Sequence, residues 1–523
     1  MKNIYGGFFM YQMNGINRKI LRLVTPLYYV FWRFFILLSA YIFICLPFQY
    51  LLVFNGASSG FIKVLLIPLL FFCILIGIAY KIRKRVNGSA KWKQIASFLF
   101  FFALFLRLGI IYYIGRGTTQ LSDFMMAFQA AQKAIPIHID HYAIFSNWGM
   151  YVFYLKIILK LFGASELVGI IANAFLESGS VVLIYFLVML TLRDKYVHIV
   201  AITSAIMYAV WPSQLVYLVL LSPEFVHIFL LLLGLVLLAL TNRETNSATP
   251  MWRALGYVFP ALCISLSGFF KRTDKIMMIA LFISMFFVFF DSSQPITREK
   301  CASKITVVPF RIVGITIFLT SYLMANVLGF MFLDYFVGRT VNRDLTPHYL
   351  NIGLSSDSCG IWNPEVGWEY RNEVIESGFD YDKAGQIVMD SLKKDIDQNK
   401  HITFQFFIKK LTGAWQGMDY LYFSQETIEP EKRIYIQRPD DAIIFQGYYL
   451  MIGVLVFLGC RLSLKEKTNF IFFLSSLFIV GFMLLMLLLE NQPRYKVVTY
   501  PYICILAGSG IQYLIVQFEG REI

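Results

Sequence analysis

Long apolar runs, each close to the length of a bilayer crossing, constrain this chain more than any other feature. A helix needs about 20 consecutive apolar residues to cross the hydrocarbon core. Such runs occur at about 29–54, 61–80, 94–114, 166–192, 197–217, 223–241, 255–270, 274–290, 308–333, 443–460, 468–489 and 497–516. They are continuous rather than alternating, which predicts helices and not a β-barrel. Only 15% of the 523 residues are charged and 58% are hydrophobic, whereas a soluble domain carries about 25% charge. The expectation is an all-α polytopic membrane protein of about twelve transmembrane helices.

The net charge of +14 does not point to nucleic acid. Basic residues recur in the short connectors, where Lys and Arg bias a loop to the cytoplasm. With the N-terminus inside, the inside segments hold Lys2, Arg18, Lys19 and Arg22, then Lys81, Arg83, Lys84, Arg85, Lys91 and Lys93. They continue with Arg193 and Lys195, Arg243 and Arg253, Arg298, Lys300 and Lys304, Arg461, Lys465 and Lys467, and a C-terminal tail with Arg521. The short outer loop between the two extra helices, Asn55 to Gly60, has no Lys or Arg. The expected location is a cell membrane, multi-pass, with both termini cytoplasmic. The N-terminus carries no cleavable signal pattern. Seven scattered cysteines show no CxxC or metal-ligand spacing.

Four parts follow from this threading: 1–93, a tail and two extra helices; 94–333, a membrane core with a first outer loop at 115–165; 334–441, an extracytoplasmic segment; and 442–523, the C-terminal helices. Within the first loop, Trp148 to Phe162 is amphipathic and predicts an interfacial helix. The segment 334–441 is polar, has plausible short helices near 382–397 and 404–411, and holds too little apolar material for an independent core.

An ionisable residue inside or at the mouth of an apolar run is costly and marks a candidate site. Asp123 opens a helical stretch just after the third run. It reads equally as a helix cap or as a general base toward an acceptor hydroxyl. Glu224 follows Pro223 at the head of the sixth run. A first-turn Glu after Pro is common, yet this one needs a polar cavity. Arg107 lies inside the third run. It either snorkels or offers a guanidinium to a phosphate. Lys271 and Arg272 break two apolar runs against the charge rule. Glu490, Gln492, Arg494 and Tyr495 join the last two runs. The threading puts Asp123, Glu224, Lys271, Arg272 and Arg494 on one outer face. Carboxylates beside cations at a lipid leaflet suit a substrate with a lipid tail and a phosphate.

At these residues the chain resembles the GT-C superfamily of polyprenyl-phosphate-dependent glycosyltransferases. It is most similar to the bacterial relatives of protein O-mannosyltransferases and of the lipid A aminoarabinose transferase. The resemblance runs over Arg107, Ser122-Asp123, Lys160-Leu161-Phe162-Gly163, Asn173, Ala209-Val210-Trp211-Pro212 and Ser222 with Glu224. It continues through Gly353-Leu354, Gly360-Ile361-Trp362-Asn363, the Glu490 to Tyr495 turn and Ala507-Gly508-Ser509-Gly510. It covers roughly 94–516. Phe124 stands where many relatives have a second acidic residue, and Pro223 separates Ser222 from Glu224.

The resemblance implies a polyprenyl-phosphate-sugar donor and an envelope acceptor: glycopolymer, glycolipid or protein hydroxyl. It implies inverting transfer on the extracytoplasmic side, with Asp123 as general base and Glu224 orienting hydroxyls. Arg107, Lys271, Arg272 or Arg494 would hold the phosphate, with Glu490, Gln492 and Tyr495 beside it. No cofactor is expected; without an acidic pair in the first loop no obligatory metal is implied, and a divalent ion stays open. The alternatives are a transporter or flippase of lipid-linked sugars, which would favour internal repeats, and an envelope polysaccharide ligase or polymerase.

Overall fold

The computed structural model describes residues 92–114, 118–120, 122–192, 195–243, 255–290, 301–357, 360–415, 425–427, 439–465 and 470–519, with the isolated positions Cys73 and Gly77. The expected runs at 29–54 and 61–80 lie outside the described residues, as does Cys359.

The fold is almost wholly helical. The bundle contains α1 (Trp92–Tyr113), α5 (Glu166–Thr191), α6 (Val197–Ala209), α8 (Glu224–Arg243), α9 (Val258–Gly268), α10 (Asp274–Phe290), α11 (Cys301–Val337), α16 (Pro439–Lys465), α17 (Phe470–Leu488) and α18 (Tyr500–Phe518). Between α1 and α5 come α2 (Ser122–Ala131), α3 (Asp140–Ile144) and α4 (Ser146–Phe162). The short α7 (Pro212–Tyr217) follows α6. The polar segment supplies α12 (Thr346–Leu354), α13 (Pro364–Glu376), α14 (Tyr381–Asn399) and α15 (Phe404–Trp415). A 3-10 turn, Pro493–Thr499, leads into α18. Strands β1 (Thr118–Gln120) and β2 (Gln425–Thr427) pair antiparallel, with Thr118 opposite Thr427 and Gln120 opposite Gln425.

Among the described residues, six helices are long and apolar enough to cross a membrane: Trp92–Tyr113, Glu166–Thr191, Glu224–Asn242, Val313–Val337, Phe470–Leu488 and Arg494–Phe518. Val197–Ala209, Val258–Gly268 and Gly447–Leu462 are apolar but shorter. The protein is therefore read as multi-pass; six of the expected spans reach full crossing length among the described residues. One shortfall has a local cause. The run at 197–217 is broken at Trp211, because Pro212 starts a new helix at its first turn and cannot continue the old hydrogen-bond ladder.

Helix α18 is central and α11 peripheral: 83% of the most apolar window is buried in the first and 6% in the second. The centre closes through small residues, as membrane helices require where backbones meet. A Cβ on Gly510 would strike the Leu455 carbonyl of α16, and one on Gly508 would come within 2.9 Å of the Val200 carbonyl of α6.

The amphipathic stretch expected at 148–162 is helix α4, which starts at Ser146 and ends on the exposed Leu161 and Phe162. Its Lys156 does not point away; its ammonium donates to the Ala131 carbonyl at 3.1 Å and so caps the end of α2.

The polar segment has more order than its composition predicts. Asn363 and Asp380 cap α13 and α14 through hydrogen bonds from Glu365 N at 2.8 Å and Lys383 N at 3.0 Å. Tyr370, Val374, Ala384, Val388 and Leu392 are buried between these helices. The rest of its support comes from the bundle. Gly353 abuts the backbone of Leu488 and Leu489, and the buried Lys410 donates to the Leu489 carbonyl at 2.9 Å.

Gly510→Ala therefore forces α18 off α16, an overpacking that costs about 1–3 kcal/mol, while Gly109→Ala on α1 meets open space. Thermal unfolding in detergent should show a clear loss for the first and none for the second.

Candidate functional site

Pro223 stands just before α8, and Glu224, its first residue, is buried. Its Oε1 lies 3.2 Å from Lys271 Nζ. Its Oε2 accepts from the Tyr217 hydroxyl at 3.1 Å and from the Ser222 hydroxyl. Lys271 stands in the turn between α9 and α10, and its ammonium sits 3.7 Å from the centre of the Tyr495 ring. That face attracts a cation through the ring quadrupole. The Tyr495 hydroxyl donates to Glu490 Oε2 at 2.8 Å, and Gln492 Nε2 donates to Glu490 Oε1. The Arg494 guanidinium lies 5.4 Å from the Tyr495 ring and 5.9 Å from the ring of Phe124, the neighbour of Asp123. The turn at 490–496 thus joins Lys271 and Glu224 to the start of α2.

The electrostatics follow from burial and close charge. Burial pushes the Lys271 ammonium below its ordinary value, opposed by Glu224. Burial raises Glu490, opposed mainly by Arg494. Two carboxylates and two cations hold one another in a place that water alone would not stabilise.

Asp123 sits in the first turn of α2, partly exposed. Among the described residues neither Ser122 nor Asp123 makes a capping hydrogen bond. The Asp123 charge acts on His141, Tyr142 and Tyr349. Tyr349, on α12, is the meeting point of the constellation: Glu490, Arg272, Arg494 and Asp123 all act on its hydroxyl. Its carbonyl accepts the Glu490 backbone N–H at 3.0 Å. The neighbouring His348 is buried, which lowers its ring to about 3, with His141 adding to the shift.

Arg272 faces the loop after α11 as well. It donates to the Arg343 carbonyl at 2.6 Å, to Ser146 Oγ at 2.8 Å and to the Asn342 carbonyl at 3.4 Å. Three such bonds make it a brace between α4 and that loop. Among the described residues no group of three or more His, Cys, Asp or Glu is placed to hold a metal ion.

Arg107 does not join this cluster. It is buried in the bundle, 3.5 Å from Glu177 Oε2 on α5, and donates to the carbonyls of Ala103 and Ala209. Glu177 also accepts from the Tyr208 hydroxyl at 3.2 Å and from Gln214 Nε2 at 2.5 Å. The network ties α1 and α5 to the break between α6 and α7. Sequence reasoning missed Glu177, although an acid inside the run 166–192 carried the same signal as Arg107. It also missed Tyr349 and His141, for which spacing carries no signal.

No family profile and no curated protein matches this sequence. Among solved structures, the chain is similar to the archaeal oligosaccharyltransferase AglB from Archaeoglobus fulgidus, in complex with an inhibitory peptide and a dolichol-phosphate. The TM-score is 0.43 and the identity 13%, over 83% of this chain and 51% of that one. The chain thus spans about half the length of that protein. It is also similar to ArnT from Cupriavidus metallidurans bound to undecaprenyl phosphate, at TM-score 0.34 and 11% identity, over 81% of this chain and 78% of that one.

Arg107→Met strands the Glu177 carboxylate among apolar groups, a loss of about 3–5 kcal/mol. Pairing it with Glu177→Gln removes the stranded charge and should recover most of that stability. A double-mutant cycle by thermal unfolding checks it: additive losses would mean that the two residues do not interact.

Proposed function

We propose that this protein is a membrane glycosyltransferase that moves a sugar from a polyprenyl-phosphate-linked donor to an acceptor hydroxyl of the cell envelope. The face that carries Glu224, Lys271 and Arg494 is then the extracytoplasmic one. The observation that carries this reading is the pair of cations, Lys271 and Arg494, gathered with Glu224 and Glu490 at the ends of apolar helices, with Arg494 facing the ring of Phe124, the neighbour of Asp123.

The roles divide by environment. Glu224 is committed to Lys271 and to two hydroxyls, so it is a poor proton acceptor and serves to hold Lys271. Asp123 is partly exposed and free of hydrogen bonds among the described residues, which suits a base. It takes the proton of the acceptor hydroxyl as that oxygen attacks the anomeric carbon. The bond from that carbon to the phosphate oxygen breaks with inversion, and polyprenyl phosphate leaves. Lys271 and Arg494 stabilise the charge gathering on the leaving phosphate. Arg107, committed to Glu177, has no phosphate role. Arg272 braces the loop that frames the site.

The test is transfer of a labelled sugar from polyprenyl phosphate in proteoliposomes, beside the envelope sugar composition of deleted and complemented cells. Asp123→Asn should lower turnover by about 10²–10⁴-fold. Lys271→Met should lower it by about 10²–10³-fold. Full activity of Asp123→Asn would remove the base assignment. Movement of an intact lipid-linked sugar across the membrane without transfer would make the protein a transporter.

A further inference from the structure

Glu224 reaches the site at the end of an irregular segment, Leu218 to Pro223, that is wholly enclosed by protein. Val219, Leu220, Leu221 and Ser222 are all buried. Backbone groups there cannot turn to water, and each one left unsatisfied is costly. Helical turns satisfy the amides of Leu218, Val219 and Leu220. The next groups have no helix to use, and two side-chain amides serve them. Gln120 Nε2 donates to the Val219 carbonyl at 2.8 Å, and Gln120 Oε1 accepts the Leu221 N–H at 2.9 Å. Asn173 Nδ2, from α5, donates to the Leu220 carbonyl at 3.0 Å.

Gln120 thus spans residues 219 and 221 as a neighbouring strand would, with both ends of one planar amide engaged. It is fully buried. Its own backbone is held on two sides, by the ladder to Gln425 and by an N–H donated to Glu166 Oε2 at 3.2 Å. Asp123 follows Gln120 by three positions, and Glu224 follows Leu221 by three. One side chain therefore fixes the register between the two loops that present the two carboxylates.

We infer that Gln120 is a positioning residue, an amide clamp that sets the placement of Asp123 relative to Glu224 and its bound Lys271. This rests on the transferase reading for its kinetic consequence, while the clamp itself is a structural claim with its own readout. A displacement of about 1 Å at a reacting centre costs about 10²-fold in rate, so the clamp should act on turnover more than on donor binding.

The experiment uses the full chain in proteoliposomes. Gln120→Ala should speed hydrogen exchange at the Leu221 amide at least tenfold, and lower kcat by about 10–100-fold with KM for the donor changed less than threefold. Gln120→Glu keeps the shape and separates positioning from folding. A protonated carboxyl offers the same acceptor to Leu221 and an O–H to Val219; an ionised one turns a second acceptor on the Val219 carbonyl. Burial, and the Glu166 carboxylate nearby, both disfavour ionisation. The ratio of Gln120→Glu to parental kcat should therefore rise as pH falls, whereas that of Gln120→Ala should stay flat. Unchanged Leu221 exchange in Gln120→Ala overturns the clamp, and so does a Gln120→Glu chain whose kcat at the lowest pH is no better than that of Gln120→Ala. Should the parental chain transfer no sugar, the exchange result still supports or refutes the clamp, and the failure belongs to the transferase reading.

Discussion

The ion pair between Glu224 and Lys271 is the contact on which the rest of the site depends. Each charge would be expensive alone at the edge of an apolar bundle. Together they close a chain that runs from α8 through the α9–α10 turn to the ring of Tyr495. That ring leads to Glu490, and Glu490 to the backbone of α12 through Tyr349. Four separate stretches of sequence are thereby committed to one geometry. A buried pair of this kind contributes little net stability, and its attested use is to specify an arrangement. Here the specified arrangement is a buried cluster with its cations already in place beside their carboxylates.

A second pair, Arg107 with Glu177, plays a comparable part deeper in the bundle. It gathers α1, α5 and the interrupted α6–α7 at the place where Pro212 breaks the helix. Trp211 stacks on Tyr500 at 4.0 Å beside this break and donates to the Tyr449 hydroxyl at 3.3 Å. The break is a packed joint with assigned partners on every side.

Much of this was legible in the chain, and the limits have physical reasons. Apolar runs reveal helices because hydrocarbon demands them, and the expected runs over the described residues are mainly helical, with 197–217 broken at Trp211. Charges that interrupt runs mark candidate positions because they are costly, which is how Asp123, Glu224, Lys271 and Arg494 were singled out. The same rule does not say who pairs with whom. Arg107 looked as suited to a phosphate as to a carboxylate until Glu177 stood next to it. Arg272, adjacent to Lys271 in sequence, turns to the Arg343 carbonyl instead. Helix α12 was hidden because a helix that leans on a membrane bundle needs little apolar surface of its own, and α13 because it shares a small core with α12 and α14 instead of building one alone. Tyr349 was invisible for a related reason: its place is set by a backbone bond from a residue 141 positions later.

Lys410 gives the polar segment a mechanical role. It reaches from α15 to the carbonyl of Leu489, and its own carbonyl accepts from the Asn491 side chain, while the Asn491 N–H donates to the Gly360 carbonyl at 2.6 Å. The residues on either side of Glu490 are thus stitched to the segment outside the bundle. A load placed on that segment, by a bulky polymer or a neighbouring surface, is transmitted to the turn carrying Arg494 with little slack. The outer segment and the charged turn share one set of hydrogen bonds, so variation in this protein should be freest on the side of that segment that faces away from Lys410.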